Sequence, residues 1–458
     1  MADSATHPAT IVVGGGLAGI AAALRLADSG QQVVLVEGRP RLGGAAFSFR
    51  RGSLSIDNGQ HVFLRCCEAY QWLLRRLGVS DSVTLQRHLD IPVLRADGRT
   101  ARLSRVPGVP APAHLGAALA RYAVLSRMDR LRAVRGALAL RLLDPTDPAL
   151  DMQTLGGFLR AHGQNDATIA ALWGIVATAT LNLAPDEASL ALAAKVFRTG
   201  LLDRADASDI GYAAVPLGEL HSVAAERALR AAGVEVLLGH RVESIEPGCV
   251  VHAHSAAGER TWHADRVVLA MPHRDAFTAA PALAASTSAA AAGLGATAIV
   301  NIHVVYDRQV TDLAFGAAVD SAVQWFFDRT DTSGLAAVHP KGQYLAITVS
   351  AADGIVGEPS KVLCGQFVDE LARLFPAVAR AEVLDAFVTR ERRATFRQAA
   401  GSAALRPSAH SGIDGVWLAG AWTATGWPDT MESAVRSGIA AAEAALELPA
   451  HAGLEFAA

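Results

Sequence analysis

The chain has 458 residues, enough for two or three domains, because single hydrophobic cores stop growing near roughly 250 to 300 residues. Its 41 Lys and Arg against 44 Asp and Glu give a formal charge of -3, which excludes a global positive field for nucleic acid. The four cysteines, Cys66, Cys67, Cys249 and Cys364, form no C-x-x-C pair and no zinc spacing, so a reduced, cytoplasmic chain without a metal site is expected.

The polar start, Met1 to Thr10, and the Arg25 that interrupts the next apolar run predict neither a signal peptide nor a membrane span. Residues 10 to 37 read as strand, glycine turn, helix, strand: Thr10 to Val13 is β-branched, Ile20 to Asp28 is helical, and Gln32 to Glu37 is a second apolar strand. From about Arg75 to Leu202 the pattern is largely helical, with Leu, Ala and Arg at helical spacing and prolines at its breaks. Strand and helix signals return at Glu219 to Ala232, Val234 to Leu238, Val242 to Ile245 and Arg266 to Ala270. Ala276 to Tyr306 holds no charged residue and is read as buried linker and strand. The chain closes with a strand at Val416 to Ala419 and a helix from about Thr430 to Leu446.

These alternations predict an α/β fold: a Rossmann-like dinucleotide-binding domain assembled from residues 1–74, 206–274 and 391–458, with an inserted α+β substrate domain from 75–205 and 275–390. Gly14, Gly16 and Gly19 form G-x-G-x-x-G between strand and helix. The first permits the tight turn, the second admits a pyrophosphate, and the third allows close helix–strand packing, with Leu17 and Ala18 opening the helix whose N-terminus faces the phosphates. Glu37 ends the second strand where a carboxylate reaches a ribose hydroxyl. Arg41, Gly43 and Gly44 supply a second flexible, basic turn, which points to FAD rather than a nicotinamide cofactor. Asp57-Asn58-Gly59-Gln60-His61 is a further turn suited to approach a flat ring, and a helix starting at Thr430 and Met431 would aim its positive end at the flavin.

Gly14 to Gly19, Glu37, Arg41 to Gly44 and the Gly420 to Gly438 segment resemble the flavin amine oxidase and phytoene desaturase superfamily, a group of flavoproteins with two dinucleotide-binding motifs. Four narrower elements, Asp57 to Phe63, Ala179 to Asn182, Asp186 to Ser189 and Gln324 to Arg329, are similar to the hydroxysqualene dehydroxylases within it. The resemblance implies non-covalent FAD, held also by Ala45, Val242, Gly420 and Ala421, and an enzyme that removes the hydroxyl of hydroxysqualene to give squalene for hopanoid biosynthesis. In that reaction hydride passes from reduced flavin N5 to an allylic cation. Two positions depart from the family pattern: Ala45 stands where Arg is usual after the glycine pair, and Ala421 where Asp is usual after the C-terminal glycine.

Such chemistry needs an apolar tunnel, π faces for the cation and an acid for the leaving hydroxyl. Alternation along a strand turns either Trp325 and Phe327, or Phe326 alone, toward the tunnel. His61, Asp57 or a nearby water is the acid candidate, and the two residues each have an alternative reading as structural: His61 as a hydrogen-bonded histidine and Asp57 as the shaper of its turn. Pro107 to Leu143 combines Leu, Ala and Val with six arginines against Asp129, which suits either an anionic membrane surface at the cytoplasmic face or a solvated helix face. The expected partners are a long isoprenoid substrate, a membrane surface and an unidentified electron donor, with the oligomeric state left open. Oxidative carotenoid or phytoene desaturation, amine oxidation and a non-catalytic pathway scaffold are the competing functions.

Overall fold

The computed structural model describes residues 9–451 and Phe456; the reading of the segment before Ala9 lies outside the described residues. A six-stranded sheet runs in the order 235–238, 33–37, 10–13, 266–269, 416–418, 410–413. All neighbours are parallel except the last pair, which is antiparallel. Its central strand, Thr10–Val13, is buried along its whole length and reads as a continuous β-branched run, as a strand covered on both faces does.

The helix Leu17–Asp28 follows the first strand and buries Leu17 through Leu26. The last helix, Met431–Ala445, crosses it with backbones in contact: a Cβ on Gly438 would lie 2.0 Å from the Ala18 carbonyl oxygen. A seven-stranded sheet has the order 383–395, 297–306, 343–349, 325–328, 315–319, 90–95, 100–104. Smaller sheets combine 241–246, 250–255 and 258–263, and 62–64, 210–213 and 83–85, beside the hairpin of 48–51 with 54–57.

The segment after Arg75 is less helical than its composition predicts. Asp90–Arg95 and Thr100–Ser104 form a hairpin, and the first of these strands pairs in parallel with Phe315–Val319. Ile91, Val93 and Leu94 are buried by that distant partner, so pairing across the chain overrides a local pattern rich in Leu, Ala and Arg. Helices then dominate from 127 to 202, including Arg127–Arg141 and Leu190–Phe197.

Candidate active site

Three glycine turns meet at the carboxyl ends of the parallel strands, where ligands of open α/β sheets bind. Gly14 has φ +108°, and a Cβ there would lie 2.3 Å from the Ala270 carbonyl oxygen. Gly44, at φ +56°, presses on the same turn, since its Cβ would come 2.8 Å from the Gly16 Cα. Gly43 N donates to Gly15 O at 2.9 Å and fastens the two turns together. The third turn begins at Gly420, whose N–H donates to Ser437 Oγ at 2.8 Å.

Glu37 closes one end of this cradle: its Oε2 accepts from Gly15 N at 2.6 Å and its Oε1 from Arg39 N at 2.7 Å. His240 N donates to Glu37 O, which brings the strand carrying Val242 against the end of the Glu37 strand. Arg41 lies 3.6 Å over the Phe47 ring and donates to the Leu42 and Gly44 carbonyls. Burial and the neighbouring Arg39 lower its pKa to about 10, so the guanidinium stays cationic at neutral pH. Bare backbone at three turns, a carboxylate at the far end and one retained cation together fit FAD.

Ala45 is exposed, and its carbonyl accepts from Asn58 Nδ2 at 2.8 Å. The Ala421 carbonyl accepts from Arg406 Nη2 at 3.0 Å and Ser433 Oγ at 3.2 Å. The side chains usual in the family are missing at both positions, yet the backbone at each is held from behind. Thr430 caps the last helix by accepting from Ser433 N, so Met431 becomes its first residue beside the Gly420 turn.

Asp57, at the end of strand Leu54–Asp57, is buried and ion-paired with buried Arg329 at 2.9 Å. Its other oxygen accepts from Ser48 Oγ at 2.6 Å and Leu217 N at 3.0 Å. Asn58 ties the cofactor turn to the large sheet: its side chain accepts from Phe47 N and donates to Glu391, and its carbonyl accepts from Asn301 and Thr389. Gly59 passes beside Asn301, where a Cβ would lie 3.1 Å from Nδ2.

Gln60 and His61 line a small internal cavity of about 10 Å³ together with Asp57, Tyr212, Leu217, Phe327 and Arg329. His61 Nδ1 lies 3.2 Å from the Gly59 carbonyl, and burial lowers the pKa of its ring, which is therefore a neutral imidazole near pH 7. Trp325 and Phe327 share one face of their strand, with rings stacked at 6.4 Å, and Phe327 stacks on Phe315 at 6.0 Å. Phe326 points the other way, into the core against Phe375.

Asn301, Thr389, Glu391, Arg406 and Asp429 belong to this neighbourhood but do not stand out in the sequence. Asn301 had a signal, being a polar interruption in the apolar strand Thr297–Tyr306. Asp429 is enclosed by protein and half-buried; its Oδ2 accepts from Phe396 N at 2.8 Å and its N–H donates to Gln398 Oε1 at 2.9 Å. Burial raises its pKa to about 6 against the opposing pull of Arg406. The narrower motifs Ala179–Asn182 and Asp186–Ser189 brace the same segment. Gln398 donates to Leu181 O, Asn182 bonds Thr395, and Ser189 N donates to Gln398 O.

A second cavity, of about 550 Å³, lies between Pro145, Thr146, Lys195 and Arg198 on one side and Arg406, Ala424 and Gly426 on the other.

Comparison with known proteins agrees with this architecture. The chain is 29% identical over 442 residues to the hydroxysqualene dehydroxylase of Rhodopseudomonas palustris, covering 95% of this chain and 97% of that one. It is 27% identical to the hydroxysqualene dehydroxylase of Sinorhizobium fredii, again over 95% and 97% of the two chains. A solved oxidoreductase from Methanosarcina mazei superposes with a TM-score of 0.70 at 17% identity, over 96% of this chain and 99% of that one. The model of the flavin containing amine oxidoreductases matches residues 17–446, and the chain belongs to that family, an FAD-dependent oxidoreductase by its cradle and its fold.

Proposed function

We propose that this enzyme removes the hydroxyl group of hydroxysqualene to give squalene, drawing on reduced FAD. The observation that carries the reading is similarity along nearly the whole chain to hydroxysqualene dehydroxylases. Bound FAD, once reduced, supplies the hydride.

The chain's own residues supply the surroundings. Trp325, Phe327, Phe315 and Tyr212 form a run of ring contacts beside His61 and offer π faces to an allylic cation without placing a nucleophile among them. The glycine turns and Arg41 hold the cofactor, and Asn58 fixes the distance between its turn and the large sheet.

The substrate is a lipid, and the helix Arg127–Arg141 carries what a membrane surface requires. Met128, Leu131, Val134, Leu138 and Leu142 are exposed at helical spacing, Leu131 at 67% and Leu142 at 87%, interleaved with exposed Arg127, Arg132, Arg135 and Arg141. Such a face lies on anionic lipid, consistent with attachment at the cytoplasmic side. Among the described residues no helix is long and apolar enough to cross a membrane. Pro145 and Thr146, just beyond this helix, and Ala424 to Gly426 line the same 550 Å³ cavity, which on this reading is the substrate's route inward. Electrons come from a separate reductase or free reduced flavin, because the sequence has one Gly-x-Gly-x-x-Gly fingerprint and that one serves FAD.

Anaerobic incubation with chemically reduced FAD and hydroxysqualene tests the reaction, read by mass analysis of extracted lipid. Squalene formed as flavin oxidises supports it. Desaturation of a polyene by oxidised FAD, with no squalene formed, would assign the enzyme to the desaturases instead.

A further inference from the structure

Loss of hydroxide from an allylic alcohol is slow unless the leaving oxygen is protonated, so the site needs an acid that carries a proton near neutral pH. Asp57 does not serve, because Oδ1 is taken by Ser48 and Leu217 and Oδ2 by Arg329. His61 is a neutral imidazole, with its Nδ1 turned to the Gly59 carbonyl.

Asp429 has the geometry that both lack. It precedes Thr430, the cap of the helix that starts beside the Gly420 turn. One carboxyl oxygen, Oδ2, is fixed by Phe396 N, while Oδ1 accepts no hydrogen bond from the described residues. The residue is half-buried and keeps part of its surface open to solvent, so a group arriving beside the Gly420 turn can reach it.

The charged groups around it are directed elsewhere. Arg406, the cation that pulls on its charge, gives its Nη2 to Ala421 O, Thr423 O and Thr425 Oγ1 and lies 4.9 Å over the Phe396 ring. Asp151, which also acts on Arg406, accepts from Ser189 Oγ and Ala403 N. Glu432 turns away to the Ala69 and Tyr70 amides and to Arg436. No Lys, Arg or His among the described residues forms an ion pair with Asp429.

We propose that Asp429 is the acid that protonates the leaving hydroxyl, presenting its free Oδ1 to the substrate oxygen. The assignment rests on the dehydroxylation reading above. The proton moves from Oδ1 to the hydroxyl, the C–O bond breaks with both electrons leaving on water, and Asp429 remains as carboxylate. Reduced FAD, when bound, would supply the hydride that the allylic carbon takes, and Asp429 recovers a proton from solvent, so each turnover consumes one hydride and one proton and releases one water.

The test compares the full-length wild type with Asp429→Asn and Asp429→Glu, each loaded with FAD to equal flavin content. In the anaerobic assay Asp429→Asn is expected to lose at least ~100-fold in kcat, the low end of general-acid contributions. The wild-type rate is expected to fall as pH rises through about 6, and Asp429→Asn should lose that dependence. Asp429→Glu should recover part of the rate.

Infrared difference titration gives a readout independent of turnover: a protonated-carboxyl band that disappears as pH rises through about 6 in the wild type and is missing from Asp429→Asn. An active wild type with Asp429→Asn within threefold of it and an unchanged pH profile would overturn the acid role alone. A wild type that forms no squalene would overturn the dehydroxylation reading and the role with it. Absence of the titrating band would overturn the protonation state on which the step depends.

Discussion

Asp57 and Arg329, 272 residues apart in sequence, meet as a buried ion pair at 2.9 Å with side chains only 6% and 7% exposed. Arg329 also donates to Ala213 O at 3.1 Å, so its guanidinium spans the strand that ends at Asp57 and the strand Ile210–Ala213. The two short elements, Asp57 to Phe63 and Gln324 to Arg329, are thereby one structural unit.

Arg329→Met removes the cation and leaves Asp57 buried without its counter-charge. That kind of loss costs about 3–5 kcal/mol. Denaturant unfolding should show such a drop, whereas Arg329→Met combined with Asp57→Leu should recover much of it. A double variant as unstable as the sum of the two singles would mean that the pair is not coupled.

Restoring the family's side chain at position 45 should strengthen cofactor binding. Ala45 is exposed beside the Gly43–Gly44 turn, so an arginine has room to reach a phosphate oxygen without displacing the core. A hydrogen bond between charged groups contributes about 1.5–3 kcal/mol, so Ala45→Arg should tighten FAD binding roughly tenfold or more. Flavin fluorescence titration of the apoprotein measures it, and an unchanged Kd would place the phosphates away from position 45. Gly44→Val, by contrast, should purify colourless, because its φ of +56° and the 2.8 Å approach to Gly16 leave no space for a side chain.

The parts of this molecule that sequence makes legible are those decided locally. The first strand–turn–helix–strand is set by β-branched runs and three glycines, and the final helix by a capping threonine, so both fall within a few residues of their expected bounds. Asp90–Ser104 is different, since its strands are buried by Phe315–Val319, more than two hundred residues later. The site divides in the same way. Glu37 is placed by its own strand, but Asn58 acquires its meaning from Glu391, 333 residues away. Asp429 reads as a turn residue until Phe396, Gln398 and Arg406 enclose it.

Membrane attachment through the helix Arg127–Arg141 predicts a separable phenotype. Leu131→Glu with Leu138→Glu places two charges on the exposed stripe and touches none of the cofactor turns. Flotation with vesicles containing anionic lipid should fall at least tenfold, while flavin content and melting temperature stay unchanged. Raised salt should weaken wild-type binding, through the arginines, and leave an apolar remainder. Equal flotation of variant and wild type would point to another face.

Asp429 also leaves a mark on stability. Burial holds its folded pKa at about 6 against an ordinary 3.8, so the folded state binds this proton more tightly than the unfolded chain does. Below the ordinary value both states are protonated and there is no penalty. Between that value and about 6 the unfolded chain ionises first, and folding stability declines. Above 6 both states are ionised and the penalty levels off at about 2–3 kcal/mol, taking 1.36 kcal/mol for each pKa unit and some relief from partial exposure. Asparagine keeps the acceptor for Phe396 N and carries no charge, so Asp429→Asn should be more stable than wild type at about pH 8 by up to that amount, and the difference should shrink toward zero as pH falls below 3.8. Paired denaturant curves across this range measure it. A variant that is less stable at pH 8 would show that Asp429 is held as a carboxylate by partners stronger than its enclosure.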